Sequence, residues 1–271
     1  MLELEVRSSL HHQLPIILTD STQQNLPTVL LFHAEIDNSP IPVQDTLSPT
    51  SYSTFLQSRP EKMETDAISL ITELQADFPA LRCHIVHLSA ASALPIIRAA
   101  KASGANLTVE TCFHYLCLAA EDIPSGHPQF KCCPPIREQR NRDLLWEALK
   151  DGTIDCVVSD HSPCTLQLKN MDVGNIMDAW GGISTLGLGL SLLWTEGCKR
   201  GATIADIIKW TSQKTAEHAG LQSFKGKLDV GYDADFIIWD PDAEFEVRCP
   251  VFPRAISLQL SDHQRIVKIQ E

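Results

Sequence analysis

The sequence predicts an α/β protein built around a parallel sheet, and two observations support that prediction. Apolar runs that end in polar residues alternate with stretches of helical, amphipathic spacing along most of the chain. The apolar runs are largely continuous, which is typical of strands that are buried on both faces. Together these patterns predict repeated strand and helix units whose strands lie parallel.

The first predicted strand is TVLLFHAE at 28–35, and a helix follows at 61–78, where apolar residues recur at helical spacing behind Pro60. Three further strands are predicted at 81–89, 106–114 and 153–164, with helices at 93–104 and 142–152. Two more helices are expected at about 178–196 and 203–219. The segment 226–240 alternates like a β-hairpin around Gly231, and no clear pattern follows from about Arg248.

Composition narrows the classes of function. The chain has 271 residues, with 22 Lys and Arg against 34 Asp and Glu, which gives a net charge of −12. This charge argues against a nucleic-acid or anionic-membrane partner, because phosphate groups attract clustered positive charge. The first twenty residues lack the pattern of a signal peptide, and the apolar stretch 186–194 is too short to span a bilayer. Nine cysteines without a CxxC spacing indicate a reduced, cytoplasmic protein.

Three predicted strands end in potential metal ligands, which are His33, His87 and Asp160. In a (β/α) barrel the carboxyl ends of the strands form the active-site face, so polar residues there are informative. Each residue alone also has a structural explanation, since a histidine can form an ordinary hydrogen bond and Asp160 can cap a helix. Their recurrence in successive units favours a metal site.

The segments HAE, HIVHLS, KCCPPIR, VVSDHSPC and GNIMDAWGGIS, with the tail GKLDVGYDADFIIWD, resemble the cyclic amidohydrolases, and within them the allantoinase branch. The resemblance covers roughly residues 28–240. It implies a partial (β/α)8 TIM barrel of the metal-dependent amidohydrolase type, with a remnant of a small β domain. The domain boundaries that follow are a divergent N-terminal segment at 1–27, the C-terminal half of the barrel at 28–222, a β-domain hairpin at 223–247 and a divergent tail at 248–271.

The resemblance also implies a chemistry. Allantoin, a small-molecule substrate, would be hydrolysed to allantoate by a hydroxide held between two metal ions, zinc in many family members. By position, His33 and His87 would bind one metal, and Asp160 would bind the other and transfer a proton to the leaving nitrogen. Substrate contacts would come from Cys133 and from the loop of Trp180, Gly181 and Gly182, although Trp180 is equally compatible with core packing.

Other polar residues are given less direct roles. His114 and His161 would support the site or the structure, and His84 would point away from the barrel mouth. Asp233 and Asp235 would fix the geometry of a turn.

Two features of the family are missing from the sequence. The family's His-x-His motif has no match, since His11 and His12 are adjacent, and the bridging lysine is absent, since the first lysine, Lys62, follows His33. The matched ligand set is therefore incomplete, and this chain alone is expected to be inactive.

Two alternatives remain open on the sequence. One is a catalytically silent binding or regulatory chain that pairs through open strands with a full-length homologue. The other is a related hydrolase that acts on dihydropyrimidines. The resemblance to the family is also compatible with a homo-oligomer.

Overall fold

The computed structural model describes residues 2–5, 29–37, 48–245 and 266–269. Its centre is a parallel sheet of five strands in the order β1-β2-β3-β4-β5. The strands are β1 (Leu2–Glu5), β2 (Val29–His33), β3 (Arg82–Ile85), β4 (Leu107–Cys112) and β5 (Cys156–Val158). The predicted parallel α/β sheet is confirmed. The count of four predicted strands was one short, because β1 was not recognised and pairs with β2 in the structure.

Helices follow the strands, as the repeated units predict. They are α1 (Tyr52–Ser58), α2 (Lys62–Ala76), α3 (Leu94–Ala102), α4 (Phe113–Cys117), α5 (Gln139–Asp151), α6 (Gly189–Cys198), α7 (Ile204–Ile208) and α8 (Lys214–Ala219). A π-helical turn, Lys209–Gln213, joins α7 to α8, so that the helix predicted at 203–219 is continuous. None of the described helices is long and apolar enough to cross a membrane.

The apolar positions of the strands and helices form one buried core. Alternate residues of a strand share a face, and in this sheet one such set packs with apolar residues of α2 and α3. The cluster includes Leu30, Phe32, Cys83, Ile85, Leu107 and Val109 from the strands, with Ala67, Ile68, Ile71 and Ile97 from the helices. Since all neighbouring strands are parallel, their carboxyl ends meet along one edge of the sheet.

A buried polar network fixes the turn that follows β3. Glu64, on α2, accepts hydrogen bonds from the backbone amides of Ser89 at 2.9 Å and Ala90 at 3.0 Å, and forms a 2.7 Å ion pair with Arg137. Asn141, on α5, donates to the carbonyl of Ser89 at 2.8 Å. The turn that carries His87 is therefore attached to two helices and cannot shift independently of them.

Two predictions of secondary structure were wrong, one in its start and one in its strands. The helix expected at 178–196 begins only at Gly189, because Gly182 and Gly187 adopt positive φ values and Ile183 forms a parallel bridge with His161. The hairpin expected at 226–240 is not formed, since residues 226–238 contain no strand. Instead β6 (Trp239–Phe245) pairs antiparallel with β7 (Ile266–Ile269), which lies in the stretch that showed no sequence pattern.

Candidate functional site

The three predicted ligands lie at the carboxyl ends of three strands of the sheet, or just beyond those ends. His33 is the last residue of β2, His87 lies two residues after β3, and Asp160 lies two residues after β5. His87 and Asp160 have φ values of 40° and 43°. Such left-handed backbone is uncommon for residues other than glycine and occurs often at functional sites.

His33 and His87 are in direct contact. Their Nδ1 and Nε2 atoms are 2.9 Å apart, and the two rings meet edge to face with centroids 4.6 Å apart. The Nε2 atom of His33 lies 3.1 Å from Glu35 Oε2, and Arg59 in turn donates to both oxygens of Glu35. An N–H on Nε2 that donates to Glu35 leaves Nδ1 of His33 with its lone pair towards His87.

The charge states of Glu35 and His87 follow from burial and hydrogen bonding. Burial acts to raise the pKa of Glu35, but hydrogen bonds from His33 and Arg59 outweigh it and lower the pKa to about 2. Burial lowers the pKa of His87 to about 4, and the neighbouring His33 adds to the effect. At neutral pH Glu35 is therefore a carboxylate and His87 a neutral imidazole, which is the form that binds metals.

Asp160 lies in a different group, with Cys112 and His114. One ligand atom from each of these three residues lies within 4.8 Å of the other two. His114 is completely buried, and neither of its ring nitrogens has a hydrogen-bond partner. Burial lowers the pKa of His114 to about 3, so its imidazole is neutral. Among the described residues, no group of three mutually close donors includes His33 or His87.

The predicted substrate residues come together in one pair of loops. A Cβ atom placed on Gly181 would lie 3.1 Å from the Sγ atom of Cys133, so the two segments are in contact. Gly182 donates its amide to the carbonyl of Lys131 at 2.9 Å. The side chain of Trp180 is 49% exposed, which excludes core packing as its role. The two loops are thus joined to each other through their backbone, with the side chain of Trp180 exposed beside them.

Lys169, which the sequence analysis did not single out, holds these loops together. Its buried ammonium donates to the carbonyl of Lys131 at 2.9 Å and to that of Trp180 at 2.8 Å. Burial lowers the pKa of Lys169 to about 8. No local spacing signals this role, because the three residues belong to separate segments.

The remaining polar residues have structural partners. His84 is buried within the sheet, with Nδ1 2.7 Å from Thr108 Oγ1, and the amide of Leu186 donates to Nδ1 of His161 at 3.1 Å. Asp233 and Asp235 both form ion pairs with Lys225. Glu35 was missed, although a position two residues after His33 is one that shares its face on an extended chain.

Comparison with known proteins identifies the family of the chain. The sequence pattern of the amidohydrolase family matches residues 33–265. The chain belongs to the amidohydrolase family. Curated amidohydrolase relatives include the allantoinase of Saccharomyces cerevisiae, 48% identical over 223 residues, and the allantoinase of Arabidopsis thaliana, 45% identical over 227 residues. These alignments cover 81% and 80% of this chain but only 48% and 44% of the relatives, so the chain spans about half their length.

Solved structures confirm the fold class. The L-hydantoinase (dihydropyrimidinase) from Arthrobacter aurescens superposes with a TM-score of 0.81 at 26% identity, over 89% of this chain and 54% of that one. The D-hydantoinase (dihydropyrimidinase) from Thermus sp. superposes with a TM-score of 0.77 at 25% identity, over 90% of this chain and 56% of that one. The partial amidohydrolase barrel expected from the sequence is therefore confirmed.

Amidohydrolases are generally metal-dependent, so the metal-binding side chains of the described residues decide whether such a site is complete. The Nδ1 atom of His33 and the Nε2 atom of His87 are hydrogen-bonded to each other at 2.9 Å, and imidazole nitrogen is a common zinc ligand. The described residues do not complete a centre of two metals, because the histidine pair supplies only two donors and no third donor is grouped with it. The described part of this amidohydrolase thus presents an incomplete binuclear site.

Proposed function

We propose that this chain supplies the C-terminal half of an allantoinase-type active site, which hydrolyses allantoin to allantoate when the remaining ligands are provided. The observation that carries the proposal is the convergence of His33 and His87 at the edge of the sheet where Asp160 also emerges. Allantoinases at 45–48% identity support the choice of substrate.

The residues have separate roles in this proposal. His33 and His87 are metal ligands, zinc being the proposed metal, and Glu35 with Arg59 orients the ring of His33. Asp160 is both a metal ligand and the catalytic carboxylate. Cys133, Trp180 and Gly181 contact the substrate, mainly through backbone groups that the ammonium of Lys169 holds in register.

A complementation assay tests the proposal. The chain is purified alone and after co-expression with the segment of the Saccharomyces cerevisiae allantoinase that it does not cover, and allantoate release is measured in the presence of zinc. We expect no turnover from the chain alone, and metal-dependent turnover from the complex. His87→Asn should reduce that turnover more than about 100-fold, since loss even of a supporting group around a metal costs 10–100-fold.

His127→Asn is the matched control, because His127 is a half-buried histidine whose ring contacts the carbonyl of Ser125 outside the site. It should leave turnover unchanged. A folded, zinc-loaded complex without activity on allantoin would overturn the proposal. Activity on a dihydropyrimidine instead would support the alternative function, that of a related hydrolase acting on dihydropyrimidines.

An exposed apolar stretch favours one alternative, a catalytically silent chain that pairs with a full-length homologue. Val230 is 98% exposed and Ile238 is 78% exposed, although both are strongly apolar. Surfaces of this kind commonly mark interaction sites. This alternative predicts co-purification with a full-length allantoinase at micromolar concentration without added turnover, and the absence of a complex would exclude it.

A further inference from the structure

We propose that Cys112, His114 and Asp160 form a metal site of their own, which binds one zinc-class divalent ion in this chain by itself. The site shares Asp160 with the proposed hydrolytic centre, but its other two donors, Cys112 and His114, have no role in that centre. It requires neither allantoin hydrolysis nor the ligands that complete the family's binuclear centre.

The fold brings the three donors together from neighbouring strands. Cys112 is the last residue of β4, and His114 is the second residue of α4, which follows without a loop. Asp160 lies two residues after β5, whose Val158 is the registered partner of Cys112. The three side chains therefore meet at the carboxyl edge of one strand pair. The sheet fixes the backbone of Cys112 and the helix fixes that of His114, while Asp160 stands in the segment that follows β5.

The chemistry of the donors suits a zinc-class ion. Thiolate, imidazole and carboxylate are the three side-chain ligands that zinc uses in proteins, and three protein ligands with one open position are typical of reactive zinc sites. Zn–S bonds of about 2.3 Å and Zn–N bonds of about 2.0–2.1 Å place the donors of one tetrahedral ion roughly 3.3–3.6 Å apart. The donors here lie within 4.8 Å, so rotation of side chains by about 1 Å closes the site around an ion.

His114 provides an independent reason to expect a ligand. It is fully buried, and both of its ring nitrogens lack a hydrogen-bond partner. A buried polar group without a partner is costly, and most such groups in folded proteins are satisfied by protein, water or an ion. Coordination by a metal satisfies one nitrogen of His114 directly.

Titration with cobalt(II) tests the site in the full chain. The purified, reduced chain is stripped with a chelator and titrated with cobalt, while the near-ultraviolet thiolate-to-cobalt charge-transfer band and the bound metal per chain are measured. We expect one cobalt per chain with the band present. Cys112→Ala should abolish the band, and His114→Gln should weaken cobalt binding by at least about 10-fold.

Two control variants separate this site from the histidine pair. Cys83→Ala removes a buried thiol from β3, outside the cluster, and should keep the band. His33→Asn removes a ligand of the family's site and should also keep it. Loss of the band in either control, bound cobalt without the band, or no binding at all would overturn the proposal.

A second measurement covers the case in which Cys112→Ala fails to fold. In the unmodified chain loaded with one zinc ion, the X-ray absorption spectrum at the zinc edge should show one sulfur ligand at about 2.3 Å. A spectrum explained by nitrogen and oxygen ligands alone would contradict the assignment.

Discussion

Single residues in this protein act on segments that are distant in sequence, and Lys169 is the clearest case. Its ammonium joins the loop that begins at Lys131 to the carbonyl of Trp180, and it does so from a buried position. A buried ammonium that contacts only carbonyl oxygens is costly to keep charged. Lys169 therefore positions the two substrate loops, but its charged form lowers the stability of the folded protein by an amount that depends on pH.

Stability should rise with pH in the window set by Lys169. Burial lowers its pKa from the ordinary value of 10.5 to about 8, so between these values the unfolded chain binds more protons than the folded one. The free energy of unfolding, relative to that of Lys169→Met, should increase across this window by at most about 3 kcal/mol. Urea denaturation at several pH values measures the difference, with the exposed Lys62→Met as control. A difference that stays constant with pH would contradict the assignment.

The sequence predicted His33, His87 and Asp160 as site candidates because each follows an apolar strand run, and strand ends are visible in a sequence. It could not predict that His33 and His87 touch while Asp160 joins Cys112 and His114, because that partition depends on side-chain packing between strands. The partners of His33 were missed for a similar reason, since Arg59 is 24 residues away from Glu35 along the chain.

At the level of elements, Glu64 attaches α2 to the turn after β3. Its carboxylate is buried, accepts two backbone amides and pairs with the equally buried Arg137. Breaking a buried ion pair by removing one partner leaves an uncompensated charge. The turn that carries His87 thus depends on a residue that contributes nothing to the site itself.

Glu64→Gln should destabilise the protein by about 3–5 kcal/mol, because it leaves the Arg137 guanidinium buried without its counter-charge. Asp66→Asn removes the carboxylate of the exposed ion pair with Lys62 on the same helix and should cost less than about 1 kcal/mol. Urea denaturation of both variants, with circular dichroism to check the native state, provides the comparison. Equal costs for the two substitutions would show that the network around Glu64 does not fix the turn.

The errors in predicted elements have physical explanations. β1 has only four residues, Leu2–Glu5, which is too short for a periodicity to be recognised. The segment 178–188 has enough apolar residues to suggest a helix, but Gly182 sits where a Cβ atom would lie 2.7 Å from the carbonyl oxygen of Ser162. The alternation at 226–240 was a sound strand signal, yet among the described residues no strand pairs with 226–238.

Considered as a whole molecule, the chain combines a strongly acidic charge with a concentrated apolar surface. The net charge is −12. Several of the exposed apolar residues lie in one short stretch of the chain, namely Leu228, Val230, Phe236, Ile237 and Ile238. Net charge opposes association, whereas an apolar patch favours it.

We expect the apolar stretch to dominate, so that the chain self-associates at micromolar concentration. Ile237→Lys should shift the sedimentation profile towards the monomer, because it places a charge within the patch. Leu166→Lys is the matched control, since Leu166 is 59% exposed but lies outside the stretch. Ile237→Lys and Leu166→Lys with identical profiles would assign any association to another surface.

The order of the strands has a consequence for how the protein can be made. Each strand of the sheet lies beside the strand that precedes it in the chain, from β1 to β5. During synthesis a new strand can therefore dock on a partner that has already left the ribosome, without waiting for later sequence. The same order means that a cut in one connecting segment divides the sheet between a single pair of neighbouring strands. An amidohydrolase barrel can therefore be divided between two polypeptides, with only one strand contact to be re-formed at each boundary.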